Sequence, residues 1–169
     1  MVIDMFKLNA SVTTKKDLTK QLEEILKNVK SEDVLVGVPQ SRASRPELGE
    51  KINNAELLFI HTNGSPMKHI PPRPVIEPAI NEKVTKLTIM EHFKTAVKAA
   101  FEGDMSSFHQ NLEIAGMIGQ NAARAWFTNP ANGWAPNAPA TIRAKGSSRP
   151  LIDTGELRKS IIYIVRRKK

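Results

Sequence analysis

WFTNPANGWAPNAPATIRAKGSSRPLIDTGELRKSIIYIV, residues Trp126 to Val165, is the most distinctive segment of this sequence. It holds both tryptophans and the only tyrosine of the chain. Prolines interrupt it between an apolar helical run and a β-branched run from Ile161 to Val165. Loops longer than about a dozen residues are usually functional or disordered, and the aromatic residues favour order here. We therefore expect an ordered long loop at residues 128–150.

Two long helical runs precede this loop. Apolar residues recur at helical spacing from Ala79 to Phe101 and from Met105 to Phe127, which predicts two helices with one buried face each. The expected inward residues are Ile80, Val84, Leu87, Ile89 or Met90, Phe93, Val97 and Ala100 in the first, and Phe108, Leu112, Ala115, Ile118 or Gly119, Ala122 and Trp126 in the second. Gly116 and Gly119 each cost about 1 kcal/mol relative to alanine, so we expect a neighbouring backbone close to them.

The remaining regular elements are short. Alternating or β-branched runs predict strands at Val2–Val12, Asp33–Pro39 and Ile161–Val165, and helical spacing predicts helices at Lys15–Val29, Asn53–Thr62 and Gly155–Lys159. The first of these helices begins after a capping Thr13 or Thr14 and the second ends at Gly64. The expected fold class is α+β, with a small mixed or antiparallel sheet packed by two long helices. One domain is expected to span residues 1–169.

Three segments lack helix or strand periodicity. Residues 40–50 are polar, which predicts a flexible loop. Residues 65–78 hold five prolines in fourteen positions, which predicts an extended arm with Arg73 held outward and with Val75 and Ile76 available for packing. Together with the loop at 128–150, the chain has two proline-rich extended segments.

The net charge of +8 is concentrated at one end of the chain. Residues 143–169 hold nine Lys and Arg against Asp153 and Glu156, whereas the preceding 142 residues hold sixteen basic and fifteen acidic side chains. The last four residues form a basic tail: Arg166, Arg167, Lys168 and Lys169. This distribution indicates either contact with DNA or an acidic protein surface, or a solvated tail.

Composition excludes several kinds of site. The chain has no cysteine, which excludes disulfides, thiol catalysis and thiolate metal sites and fits synthesis in a reducing cytosol. No apolar run approaches eighteen residues, so neither a transmembrane helix nor a membrane partner is expected. The histidines show no metal-ligand spacing and are expected at the surface or in loops: His61, His69, His92 and His109. We expect no cofactor.

The sharpest chemical motif is LIDTG, residues 151–155, because aspartic proteases present a catalytic carboxylate in this sequence pattern. Those enzymes need two carboxylates that share a proton. With one such motif, only a homodimer supplies the second. The motif is followed by the helical sequence ELRKS instead of a glycine-rich flap. A structural interpretation explains more, with Asp153 or Thr154 capping the short helix that follows.

Three blocks carry a resemblance to a known family. The first is VLVGVP at 34–39; the second is the helix from Ala55 to Gly64 followed by IPPRPVI at 70–76. The third and most specific runs from Trp134 to Ile161. In this order the blocks resemble the neck or tail-completion proteins of long-tailed bacteriophages, including related virion-morphogenesis proteins of Mu-like phages. The chain departs from that family at Thr62 and Asn63, where an acidic and an aromatic residue are usual.

The resemblance implies a structural virion protein without enzymatic activity, made in the bacterial host cytoplasm and placed at the head–tail junction. Its partners would be copies of itself in a six-fold ring, head–tail connector or adaptor proteins, a tail terminator or tail tube protein, and DNA in the lumen. We expect partner or subunit contacts at Pro71, Pro72, Arg73, Pro74 and Trp134, with Trp134 anchoring the long loop. The structural signature is Pro150, Asp153, Thr154, Gly155 and Leu157, and the basic tail would contact DNA or an acidic surface.

Three alternatives stay open at this point. A tail terminator would stop growth of the tail tube instead of joining head to tail. A DNA-binding packaging accessory would bind DNA in a salt-sensitive manner, with Trp134 as a base-stacking platform near Arg143, Lys145 and Arg149. A dimeric aspartic protease would cleave itself, and Asp153→Asn would block that cleavage.

Overall fold

A helical hairpin and a two-stranded sheet organise the computed structural model, which describes residues 19–44 and 52–168. In chain order the elements are α1 (Thr19–Ser31), β1 (Glu32–Gly37), α2 (Gln40–Ala43), α3 (Asn54–Asn63), α4 (Ile76–Asn81), α5 (Lys83–Phe101), α6 (Met105–Trp126), α7 (Pro139–Lys145), α8 (Glu156–Ser160) and β2 (Ile162–Arg167). Short 3-10 turns lie at Pro66–Lys68 and Pro130–Asn132. The α+β class and the packing by two long helices are confirmed. Three predicted features lie outside the described residues: the strand at Val2–Val12, the helix cap at Thr13 or Thr14, and part of the loop at 40–50.

The sheet is antiparallel, with β1 paired to β2 so that Val34 faces Val165 and Val36 faces Tyr163. β2 is longer than predicted and includes Arg166 and Arg167. The prediction that these two residues belong to a tail beyond the last strand is wrong. Arg167 and Arg166 pair with Glu32 and Asp33 at the start of β1. These cross-strand pairs of opposite charge stabilise the extension of β2.

The sheet packs on α6 where that helix carries glycine. A Cβ on Gly116 would lie 2.5 Å from Cδ2 of Tyr163, and one on Gly119 would lie 3.0 Å from Cγ2 of Val36. Close approach to these glycines is therefore confirmed, but the neighbours are strand side chains and not a backbone. A larger residue at Gly116 would force the Tyr163 ring to move, whereas at Gly119 a smaller shift of Val36 would be needed.

Two hydrophobic clusters lie on either side of this contact. One joins α3, α4 and α8 to α6 and consists of Leu58, Val75, Ala79, Ala123, Trp126, Phe127, Leu157 and Ile161. The other holds the hairpin of α5 and α6 together and consists of Ala96, Ala99, Ala100, Phe108 and Leu112. Val75 and Ile161 are fully buried, and each side chain of this kind contributes roughly 1.5–3 kcal/mol to stability by leaving water.

The first long helix differs most from its prediction. The chain breaks at Glu82, whose carboxylate accepts a hydrogen bond from the Thr85 backbone N–H at 2.9 Å and so begins α5. Small residues make the contact of α5 with α6, since Ala96, Ala99 and Ala100 are buried there. Six of the larger apolar side chains of α5 face outward, between 37% and 69% exposed: Val84, Leu87, Met90, Phe93, Val97 and Phe101. We call these six residues the outer stripe of α5.

The expectation that Val84, Leu87, Phe93 and Val97 point inward is wrong, whereas of the alternatives Ile89 and Met90 it is Ile89 that lies toward α6, near Gly119. Alanines let two helices approach more closely than large side chains do, so the alanine face takes the packed position. Similarly, Phe59 in α3 is 70% exposed, and Leu22 and Leu26 in α1 are 44% and 38% exposed. Ile25 and Val29 in α1 do pack on the second cluster.

The proline-rich segments contain more helix than predicted. The arm at 65–78 ends in α4, where Pro78 falls in the first turn and no intrahelical N–H is lost. The loop at 128–150 contains α7, which begins at Pro139 for the same reason. Gln40 to Ala43 are also helical. Among the described helices, none is both long and apolar enough to cross a membrane.

Candidate functional site

A tight turn after α3 positions the proline-rich arm. Gly64 ends the helix with a φ of 74°, and a Cβ at this position would lie 2.8 Å from the carbonyl oxygen of Ile70, so only glycine fits. Ser65 and Ile70 then pair across the turn, with the two backbone hydrogen bonds at 2.8 and 3.0 Å. The chain returns to α3, where the Arg73 backbone N–H donates to the His61 carbonyl at 2.6 Å.

Arg73 crosses from the arm to the long loop. Its Nε and Nη2 donate to the carbonyl oxygen of Ala135 at 3.1 and 2.9 Å, and Nη2 also donates to that of Pro136 at 3.0 Å. The side chain is 6% exposed. The prediction of an outward Arg73 is therefore wrong, because carbonyl groups 62 and 63 positions later in the chain supply the acceptors that a buried guanidinium requires.

Trp134 makes the second connection between the same two segments. Its indole Nε1–H donates to the carbonyl oxygen of Pro74 at 3.1 Å. Its ring meets that of Phe127 edge-on, with centroids 5.9 Å apart and an angle of 88° between the planes. Such a pair is worth roughly 0.5–1.5 kcal/mol beyond the burial of its area. Arg73 and Trp134 thus tie the two proline-rich segments into one unit, which we call the arm junction.

The far side of the long loop is closed by Asn137 and Lys145. The Asn137 amide is 8% exposed and donates to the carbonyl oxygens of Ser148 and Arg149 at 3.2 and 3.1 Å. The Lys145 ammonium donates to the same Arg149 carbonyl at 3.0 Å. These bonds hold the chain on both sides of α7 together and lead it into Pro150.

The turn before α8 does not use its carboxylate as a cap. Gly155 is the N-cap residue, with a φ of 83° and no capping side chain, while the Thr154 hydroxyl accepts a long hydrogen bond of 3.4 Å from the Glu156 N–H. The Asp153 carboxylate makes no capping hydrogen bond to α8, so the prediction that it caps the helix is wrong for Asp153. A left-handed glycine brings the chain into α8 directly, and Leu157 then enters the core.

These segments enclose a cavity of about 700 Å³ that is open to solvent. Six of the residues predicted from the sequence as contacts or signature line it: Pro71, Arg73, Asp153, Thr154, Gly155 and Leu157. Pro72, Pro74, Trp134 and Pro150 do not belong to that lining. Residues far apart in the sequence therefore meet around one opening, which we call the junction cavity.

The junction cavity is electropositive on one side. Burial, together with the positive charges of Arg73 and Lys145, holds the pKa of His61 below its usual 6.5. Burial likewise lowers the pKa of Lys145, and Arg73 lowers it further, while Asp153 acts in the opposite direction. Burial also lowers the pKa of Arg73. The positive charge of Arg73 therefore disfavours the protonated forms of both His61 and Lys145.

Some residues of the cavity could not be identified from the sequence. His61 was expected at the surface or in a loop, yet it lies in α3 and its Nδ1 is buried without a hydrogen-bond partner in the described part of the chain. Lys145 and Asn137 stand in a polar loop sequence with nothing to mark them as inward. The one sequence feature that could have indicated an inward His61 is its position in the last turn of the predicted helix, just before Gly64, where the chain turns back.

The basic end lies away from the junction cavity and is engaged in part. Asp33 receives the Lys168 ammonium at 2.9 Å and the Arg166 guanidinium at 3.7 Å. Arg167 donates to the side-chain oxygen of Asn28 at 3.3 Å. These cations stay more than half exposed in the two ion pairs, at 58% for Arg166 and 51% for Lys168. Lys169 lies outside the described residues.

Within residues 19–44 and 52–168, no three His, Asp or Glu side chains converge as metal ligands would. No known protein family, no curated protein and no solved structure matches this chain.

Proposed function

We propose that this protein is a structural component of a phage virion that joins head to tail, and that copies of it associate through the outer stripe of α5. The sequence blocks that resemble neck and tail-completion proteins support the first part. The observation that carries the second part is the outer stripe itself, with six large apolar side chains on one helix, 37% to 69% exposed.

An outer stripe of this kind favours an assembly protein. Monomeric proteins rarely leave a contiguous apolar patch of several hundred Å² in water, and such patches mark interaction surfaces. Charged residues lie among the apolar side chains of the stripe, and the ammonium of one of them, Lys94, is paired with Glu91 at 2.8 Å. Covering the stripe with a second protein would take its apolar area out of water, which favours association.

A closed ring requires two different surfaces on each copy. The second apolar surface lies on α3, where Phe59 is 70% exposed and Ile52, just before the helix, is 40% exposed. In the ring that we propose, the outer stripe of one copy lies against the α3 surface of the next. The remaining faces contact the connector or adaptor on the head side and the tail terminator or tube on the other, with DNA in the lumen.

The function is tested by electron microscopy of a lysate in which the phage gene carries a stop codon at Trp134. Full heads beside separate tails of normal length are expected, and the intact gene supplied in trans should restore joined particles. Overlong tails would assign the protein to tail termination instead. Normal infectious particles would contradict a role in the virion.

A further inference from the structure

The junction cavity contains a buried cation without a counter-charge. Among the described residues, no carboxylate lies within ion-pair distance of Arg73. Its Nε and Nη2 are used by the carbonyls of the long loop, whereas Nη1 makes no hydrogen bond to any described residue. A buried charge is normally paired, so the guanidinium is prepared for an anion that approaches through the cavity.

The other charges of the cavity leave the positive side in excess. Lys145 and Lys68, each with an ammonium group, line the same cavity as Arg73. Of the two carboxylates in the lining, Glu156 is already paired with Lys159 at 3.0 Å. Asp153 alone acts on Lys145 as an opposite charge. The cavity lining therefore holds more positive than negative charge, which favours an anion as its ligand.

The walls of the cavity indicate what kind of anion fits. Leu57, Ile70, Leu151 and Leu157 contribute apolar side chains, and Pro71 and Pro136 add rigid apolar rings. A concave site with apolar walls and a few polar groups suits a compact ligand that is partly apolar. Double-stranded DNA fits less well. Its phosphates carry no apolar group for these walls, and the duplex is too wide to enter a cavity of about 700 Å³.

We propose that the junction cavity binds an acidic segment of a partner protein, with one carboxylate between Arg73 and Lys145 and the neighbouring apolar side chains against the cavity walls. The guanidinium and the ammonium donate charge-assisted hydrogen bonds to that carboxylate, which are about twice as strong as neutral ones. The site is independent of the virion role proposed above, because it is argued from the cavity alone.

The test is a titration of the isotope-labelled full chain, followed by nuclear magnetic resonance. The probe is a terminally blocked pentapeptide with a central glutamate between two leucines, and its matched control carries glutamine instead. We expect the glutamate peptide to shift the signals of the Arg73 side chain and of the Thr154 and Gly155 amides. The glutamine peptide should bind about tenfold more weakly, as expected for the loss of one charged hydrogen bond.

Two variants assign the effect to the cavity. Lys145→Gln removes one of the two cations without touching the bonds of Arg73, and it should weaken the glutamate peptide about tenfold. Lys86→Gln removes the same charge from exposed α5 and should leave binding unchanged. Equal response to both peptides, equal loss in both variants, or a cavity that responds to inorganic phosphate or a DNA oligonucleotide but not to the peptide would overturn the proposal.

Discussion

The arm junction and the outer stripe of α5 reverse what their sequences suggest. The arm junction is built from prolines, Arg73 and loop residues, yet Arg73 and Trp134 point inward and bond to carbonyls of the facing segment. The outer stripe is built from leucine, methionine, valine and phenylalanine, yet those side chains face outward. The polar side chains of the arm junction are thus bonded within the protein, whereas the apolar side chains of the outer stripe are exposed to solvent.

Side chains of this chain are therefore buried where they find hydrogen-bond partners or close packing, and not according to their polarity alone. Proline-rich backbone has free carbonyls, because proline supplies no N–H, and a single guanidinium can take up several of them. The alanine face of α5 gives closer helix packing than its large apolar face. We therefore infer that the surface for association is the helix, and that the proline-rich segments serve the junction cavity.

The largest effect is expected from Arg73→Met, which breaks the arm junction while keeping a long side chain. The carbonyls of Ala135 and Pro136 lose their donors, and we expect the free energy of unfolding in urea to fall by about 2–3 kcal/mol. Arg143→Met on exposed α7 is the control, with a change within about 0.5 kcal/mol. Similar values for both variants would mean that the junction does not stabilise the fold.

A smaller effect is expected from Trp134→Phe. This variant keeps an aromatic ring beside Phe127 but leaves the Pro74 carbonyl without its indole donor. We expect the midpoint of urea denaturation to move toward lower urea, by an amount that corresponds to about 1 kcal/mol. An unchanged midpoint would show that the hydrogen bond to Pro74 contributes nothing to the junction.

The smallest effect is a dependence on pH. The pKa of His61 is lowered in the folded protein, so the unfolded chain binds the proton more readily, and stability is lost as the pH falls below the unfolded pKa of about 6.5. Between about pH 7.5 and pH 5.5 the unfolding free energy of the protein should fall. In His61→Gln that fall should be smaller. The lowered pKa values of Glu82 and Asp104 act at more acidic pH.

Much of the fold could be predicted from local sequence. The helix α6 was predicted nearly to the residue, because its apolar residues repeat on one face and Asp104 begins it with a hydrogen bond to the Ser107 N–H at 2.9 Å. The strands β1 and β2 and the stop at Gly64 follow from equally local signals. The inward face of α5 could not be predicted, since alanines occupy one side and larger apolar residues the other, and spacing alone favours the larger ones.

The candidate site was predictable only in part. The blocks around Arg73 and Asp153 could be singled out, but their meeting at one cavity depends on a contact between segments about sixty positions apart in the chain. Arginine is almost never fully buried without partners, so an outward Arg73 was the natural expectation. Asp153 followed by threonine and glycine resembles a cap, but the left-handed conformation of Gly155 made a capping side chain unnecessary.

The most direct test of the account replaces two residues of the outer stripe, Leu87→Gln together with Val97→Gln, and measures sedimentation over a range of protein concentrations. Met67→Gln is the matched control, because Met67 is 95% exposed but lies outside the stripe. We expect the native protein and the control to form assemblies larger than one chain. The double variant should stay a single chain and keep the circular dichroism spectrum of the folded native protein. A native protein that stays a single chain at every concentration, or a double variant that assembles equally well, would contradict the claim that the outer stripe joins copies.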